Sequence, residues 1–168
     1  DSSRFKYFLA QELKVPVGNI NSLVLGGHGD TMVPMPTHTT VNGKPLNQLI
    51  KKEKLDLIIE RTRKGGAEII KFLKRGSAFY APAASGVEMA ESYIKDLKKT
   101  LPCAAYLNGE YETKNLYAGV PVVIGSQGVE KVVEIKLGSQ EKKNFEISVK
   151  AVKELFEIAV KIDPDLKK

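Results

Sequence analysis

The sequence predicts an α+β domain. Three observations predict it. Helical periodicities and alternating strand patterns fall in separate stretches, which argues against a doubly wound parallel sheet. The 168 residues are 42% hydrophobic, enough for one domain with its own core. No dinucleotide fingerprint is present, since Gly27-x-Gly29 is followed by Met32 where a third glycine would stand.

Residues 1–14 place Phe5, Phe8, Leu9 and Leu13 at helical spacing. Pro16 ends that helix, because proline lacks a donor and disfavours helix before it. Residues 20–25 read as a strand entering Gly26-Gly27-His28-Gly29-Asp30-Thr31. Short strands are expected over 31–45, around an Asn42-Gly43 hairpin turn. Residues 51–75 form a long helical pattern that Gly65-Gly66 interrupts, which predicts a kink or a close packing contact. A helix over 82–98 opens at Pro82, with Val87, Ala90, Ile94 and Leu97 as its core stripe. Strands are expected over 102–107, 116–124 and 130–137, the last alternating Val133, Ile135 and Leu137 with Glu134 and Lys136. An amphipathic helix over 140–161 turns Phe145, Val149, Val152, Phe156 and Ala159 inward.

Composition narrows the function classes. No apolar run reaches the roughly 18 residues of a spanning helix, so no membrane partner is expected. The formal charge is +6, but the lysines are spread over polar helix faces. Basic clusters interleaved with aromatics are missing, so nucleic acid is not an expected partner. The single cysteine, Cys103, cannot form an internal disulfide and fits a reducing compartment. His28, His38 and Cys103 lack metal-ligand spacing, so no metal site is expected. Neither a G-x-S-x-G elbow nor a phosphate-binding loop is present.

His28 is the residue that points to chemistry. Glycines on either side leave its ring open to close approach, and its side chain titrates nearest physiological pH. It reads either as a proton-transfer group at the end of a buried strand or as a turn histidine bonded to a nearby carbonyl. His38, in a polar Thr-His-Thr-Thr context, reads as a surface residue. Asp1 and Arg4 are three apart and share a helix face. They are either an N-terminal carboxylate with a solvated arginine, or, beside His28, a working set. In that set the aspartate holds the imidazole tautomer and the arginine forks onto a substrate carboxylate.

Several motifs resemble one family. Asp1-Ser2-Ser3-Arg4-Phe5, Gly26-Gly27-His28-Gly29-Asp30-Thr31-Met32-Val33-Pro34 and Gly76-Ser77-Ala78-Phe79-Tyr80-Ala81-Pro82-Ala83-Ala84-Ser85 are similar to the lactate/malate dehydrogenases. Within them they are closest to the lactate-dehydrogenase-like malate dehydrogenases of bacteria. Arg61-Thr62-Arg63-Lys64-Gly65-Gly66-Ala67-Glu68-Ile69 and Gly119-Val120-Pro121 fit as well. The resemblance implies the fold of that family's C-terminal domain, mainly antiparallel twisted sheet packed with long helices, with no Rossmann domain in this chain. It implies that residues 1–168 are a catalytic, substrate-binding domain, the second half of a longer enzyme. The implied activity is NAD-dependent interconversion of (S)-malate and oxaloacetate. By similarity His28 is the proton acceptor and donor, Asp1 its carboxylate partner and Arg4 the substrate clamp. Ala78 aligns near the substrate's variable end and Pro82 near the nicotinamide. No residue of this chain is assigned to cofactor binding; NAD is expected on the absent N-terminal domain, without which the isolated piece should be inactive. A homodimer or homotetramer is expected of the full-length enzyme, in the cytoplasm and the tricarboxylic acid cycle. Gly27, where lactate dehydrogenases typically carry glutamate, favours malate. Lactate, another 2-hydroxy acid, or an inert assembly domain are the alternatives.

Overall fold

The computed structural model describes residues 1–167. Helix α1 (Ser2–Leu13) ends at Lys14, which takes a left-handed conformation before Pro16. Its Phe5, Phe8 and Leu9 are buried at helical spacing. Four two-residue strands follow: β1 (Ile20–Asn21), β2 (Val24–Leu25), β3 (Val33–Pro34) and β4 (Thr40–Val41). Strand β5 (Lys44–Pro45) pairs with β4 across Asn42-Gly43, both of which have positive φ. That is the expected hairpin turn. The strand expected over 20–25 is corrected. It is two strands in two sheets, β1 joining β4 and β5 while β2 joins β3. The strand is interrupted at Ser22-Leu23.

Helix α2 (Lys52–Leu73) runs through Gly65-Gly66 without interruption. Gly65 serves close packing, against Arg4, rather than a kink, while Gly66 has open space beside it. Helix α3 (Tyr80–Ile94) begins two residues before Pro82 and stops short of 98. Its expected core stripe is corrected as well. Val87, Ile94 and Leu97 are 68%, 77% and 43% exposed, whereas Ser92 is fully buried. The Ser92 hydroxyl donates to the Ile124 carbonyl at 2.7 Å and accepts the Lys99 N–H. Periodicity marks an apolar face but not what it faces.

The main sheet is antiparallel: β6 (Lys99–Asn108), β7 (Lys114–Gly125) and β8 (Gly128–Val132). Residues 133–137 lie outside any strand, correcting the strand expected to 137, although the Val133 N–H still reaches the Pro121 carbonyl of β7 at 2.8 Å. Their burial still alternates, with Ile135 and Leu137 packed on the core. The Ile135 N–H finds the Tyr111 hydroxyl at 3.1 Å instead of a strand partner. Helix α4 (Ser139–Ile162) buries Phe145 and Ser148, while Phe156, expected inward, is 41% exposed.

Two cores result. One gathers Phe5, Phe8 and Leu9 with Val24, Met32, Leu46 and Ile58. The other gathers Leu25 and Val33 with Leu107, Val120, Val122 and Phe145. The β2–β3 ribbon lies between them. Val24 enters one core and Leu25 the other, because successive strand residues point to opposite faces. A ribbon clamped on both faces holds its connecting turn rigidly, and that turn carries His28.

Candidate active site

Residues 26–32 connect β2 to β3. Gly26 takes φ +84 and exchanges two backbone hydrogen bonds with Gly119 of β7, at 2.8 and 2.9 Å. A Cβ on Gly119 would lie 2.5 Å from the Gly26 carbonyl oxygen, so the two backbones meet this closely only as glycines. The turn is thereby stitched to the large sheet at its root. At its tip the His28 side chain is 82% exposed.

Helix α1 starts beside this turn because the Ser2 hydroxyl accepts the Val24 N–H at 3.0 Å. Asp1 is the residue before the helix, yet its carboxylate caps no helix N–H. It lies instead 2.9 Å from His28 Nδ1 through Oδ2, and 3.8 Å from the Arg4 guanidinium through Oδ1. An ionised carboxylate only accepts, so Nδ1 is the donor, and in the neutral imidazole this leaves Nε2 as the acceptor. His28 and Asp1, separated by 27 residues, thus form a hydrogen-bonded pair, and one carboxylate joins all three side chains.

At 3.8 Å and partial exposure, the Asp1–Arg4 attraction is worth about 0–1 kcal/mol and does not decide where Arg4 sits. Helix α2 does. The Arg4 guanidinium donates to the Thr62 carbonyl at 3.1 Å. Gly65, one turn further on, leaves the space the side chain fills: a Cβ there would lie 2.4 Å from Arg4 Cδ. Burial lowers the Arg4 pKa, with the Glu68 carboxylate opposing; a guanidinium stays charged regardless. Arg63 adds a hydrogen bond from Nε to the Met32 carbonyl at 3.1 Å, tying α2 to the end of the His28 turn. Neighbouring Arg61 plays a packing part, stacking 4.1 Å over Phe8 and donating twice to Glu68.

A cleft of about 490 Å³ is lined by Asp1 and His28 together with Glu88, Met89 and residues 99–104. Arg4 does not line it. A second groove, of about 550 Å³ between Tyr111, Ile135 and α4, holds none of the three. Ala78 and Pro82 line neither space. His38 is half-buried, with Nδ1 2.9 Å from the Thr37 hydroxyl. Among the described residues no group of three or more His, Cys, Asp or Glu could hold a metal ion. Nor is any helix long and apolar enough to cross a membrane.

Sequence reasoning did not single out the supports of the site: Thr62, Arg63, Gly65 as the room for Arg4, and Ser148 behind the turn. Only Gly65-Gly66 left a signal, a glycine pair where a helix would otherwise avoid one.

Comparisons with known proteins follow the same lines. Residues 1–162 match the model of the lactate/malate dehydrogenase alpha/beta C-terminal domain. The chain is 62% identical to malate dehydrogenase of Pelagibacter ubique over 173 residues, covering all of this chain and 54% of that protein. The solved malate dehydrogenase of Salinibacter ruber superposes with a TM-score of 0.93 at 43% identity, over 98% of this chain and 53% of that one. The lactate dehydrogenase of Cryptosporidium parvum, solved with lactic acid and nicotinamide adenine dinucleotide, gives 0.91 at 40% identity, over 94% and 51%. The chain thus spans about half the length of the relatives it matches.

Proposed function

This chain belongs to the lactate/malate dehydrogenase family, and from that membership we propose that it is the catalytic, substrate-binding domain of an NAD-dependent malate dehydrogenase. The observation that carries the proposal is the Asp1 carboxylate held 2.9 Å from His28 Nδ1 with its second oxygen toward Arg4. A chain kept only for assembly has no use for such a pair at an exposed tip.

His28 Nε2 takes the hydroxyl proton of malate as the alcohol becomes a ketone, and returns it when oxaloacetate is reduced. Asp1 keeps the ring in the tautomer that leaves Nε2 free and stabilises the imidazolium that forms. Arg4 forks onto the carboxylate next to the reacting carbon, so orientation is settled before the proton moves. NAD supplies the hydride acceptor when bound. The residues present fit only the proton side of that exchange, since the chain has no glycine-rich phosphate loop after a strand. NAD is therefore held mainly by a nucleotide-binding domain outside this chain. The full-length enzyme works as a homodimer or homotetramer in the cytoplasm on a dicarboxylate substrate.

In the full-length enzyme His28→Asn should remove most oxaloacetate-dependent NADH oxidation while NADH binding persists; an unchanged rate takes His28 out of the mechanism. Arg4→Lys should chiefly weaken substrate binding, because an ammonium cannot reproduce the fork. The 168-residue piece alone should not turn over. Lactate is the second reading, favoured by the likeness to a lactate dehydrogenase fold. A kcat/KM higher for pyruvate than for oxaloacetate would select it.

A further inference from the structure

We propose that Ser148, on α4, is a positioning residue for His28, acting through the turn that carries it. The inference rests on the reading of His28 as the proton partner. The Ser148 side chain is fully buried. Its hydroxyl accepts the Gly27 N–H at 2.8 Å and donates to the Thr31 hydroxyl at 3.2 Å. Gly27 precedes His28 and Thr31 follows it, so one hydroxyl on a distant helix joins both limbs of the turn. Among the described residues of this face of α4, Ser148 alone both donates to the turn and accepts from it.

The turn lies directly on α4. A Cβ on Gly26 would come 2.4 Å from the Ser148 hydroxyl, and one on Gly27 would come 2.6 Å from Val152. Glu141, on the same buried face, anchors the chain beyond β3: its carboxylate accepts the Thr37 hydroxyl at 2.6 Å and the Thr37 N–H at 3.2 Å. Glu141, Phe145, Ser148 and Val152 recur at three- and four-residue steps, one stripe of the helix. The stripe forms a wall behind the turn. In front, the imidazole is 82% exposed and, among the described residues, holds a single hydrogen bond, to Asp1. Where Nε2 points therefore depends on the backbone of 27–31, and Ser148 is the polar group that fixes it from behind.

The test uses the full-length enzyme and a matched control. Ser148→Ala removes both links without adding bulk. It should lower kcat about 10- to 100-fold, the range expected when a reacting group is displaced by about 1 Å. KM for oxaloacetate and the NADH Kd should stay within about twofold, since Arg4 is held by α2. The primary isotope effect with deuterated NADH should rise as the proton-coupled hydride step becomes limiting. Ser148→Thr retains the hydroxyl and should recover the rate. Ser92→Ala is the control. It deletes another fully buried serine that bridges two backbone groups, and should lower Tm without changing kcat or the isotope effect. Should Ser148→Ala fail to fold, Thr31→Val removes one of the two links and should give a smaller loss of the same kind. Wild-type kcat and isotope effect in Ser148→Ala, or an equal kcat loss in Ser92→Ala, overturns the inference. If His28→Asn leaves turnover intact, the reading of His28 fails instead, and the two failures are told apart.

Discussion

Adding one methyl group at Gly65 separates the fold's demands from the site's. Gly65 is buried in the middle of α2, where alanine is the better helix former by about 1 kcal/mol. On helix propensity alone Gly65→Ala stabilises. The new Cβ would stand 2.4 Å from Arg4 Cδ, 2.8 Å from Nε and 3.3 Å from Cζ. Arg4 is the movable party, since its outer atoms swing more readily than the α2 backbone. Swinging away costs the hydrogen bond to the Thr62 carbonyl, a charged contact worth about 1.5–3 kcal/mol. The two terms leave a net loss of about 0.5–2 kcal/mol, a Tm drop of a few degrees. Function should suffer far more. A guanidinium displaced from its seat no longer presents a two-pronged fork, and one charged contact of about 2–3 kcal/mol lost in the transition state is roughly 30- to 150-fold in kcat/KM. The assay is steady-state oxaloacetate reduction in the full-length enzyme beside thermal melting. Most of the loss should appear in KM for oxaloacetate, with NADH affinity unchanged. A kcat/KM within twofold of wild type would refute the reasoning, because Arg4 would then work from elsewhere. A collapse in Tm would also refute it, because the backbone and not Arg4 would have moved.

Other perturbations have equally definite outcomes. Asp1→Asn keeps an acceptor near His28 but loses the charge; kcat should fall about 10²- to 10⁴-fold while Tm barely moves, as partly exposed pairs contribute about 0–1 kcal/mol. Burial, and after it the Glu88 carboxylate, push the Cys103 thiol above its ordinary pKa. Iodoacetamide should then label native protein more slowly than urea-unfolded protein between the two pKa values, and equal rates would contradict the burial. Tyr111 donates to the Val133 carbonyl at 2.7 Å and accepts the Ile135 N–H at 3.1 Å, so Tyr111→Phe should cost about 1–3 kcal/mol in urea melts. Burial also raises the Tyr111 pKa. Its contribution is present in full below the unfolded-state phenol pKa and is lost as pH rises through the folded one, a loss that Tyr111→Phe should abolish.

Much of the site was legible because its residues are unusual where they stand. His28 between glycines and the Asp1-to-Arg4 step are local signals, and the resemblance supplied their order. Asn42-Gly43 was legible for the same reason, since few dipeptides accept two positive φ values. Readings failed where the signal was a period alone. Val87, Ile94 and Leu97 recur like a core stripe, yet α3 turns Val87 and Ile94 outward and ends before Leu97, which is exposed as well. Residues 133–137 alternate like a strand, yet the third strand stops at Val132 and a tyrosine hydroxyl meets the Ile135 N–H. A period reports which side chains share a face. It carries no information about what lies opposite.

The sequence by itself determined the α+β class, the turn bearing His28 and the helix bearing Asp1 and Arg4. Those depend on local backbone preference and on side-chain spacing within one element. Only the tertiary structure decided that β2 and β3 lie between two cores, that Gly65 makes the room for Arg4, and that Ser148 stands behind the His28 turn. Thr62 is 58 residues from Arg4 and Ser148 is 121 from Gly27. Contacts over such separations come from packing many side chains at once, so no stretch of sequence records them.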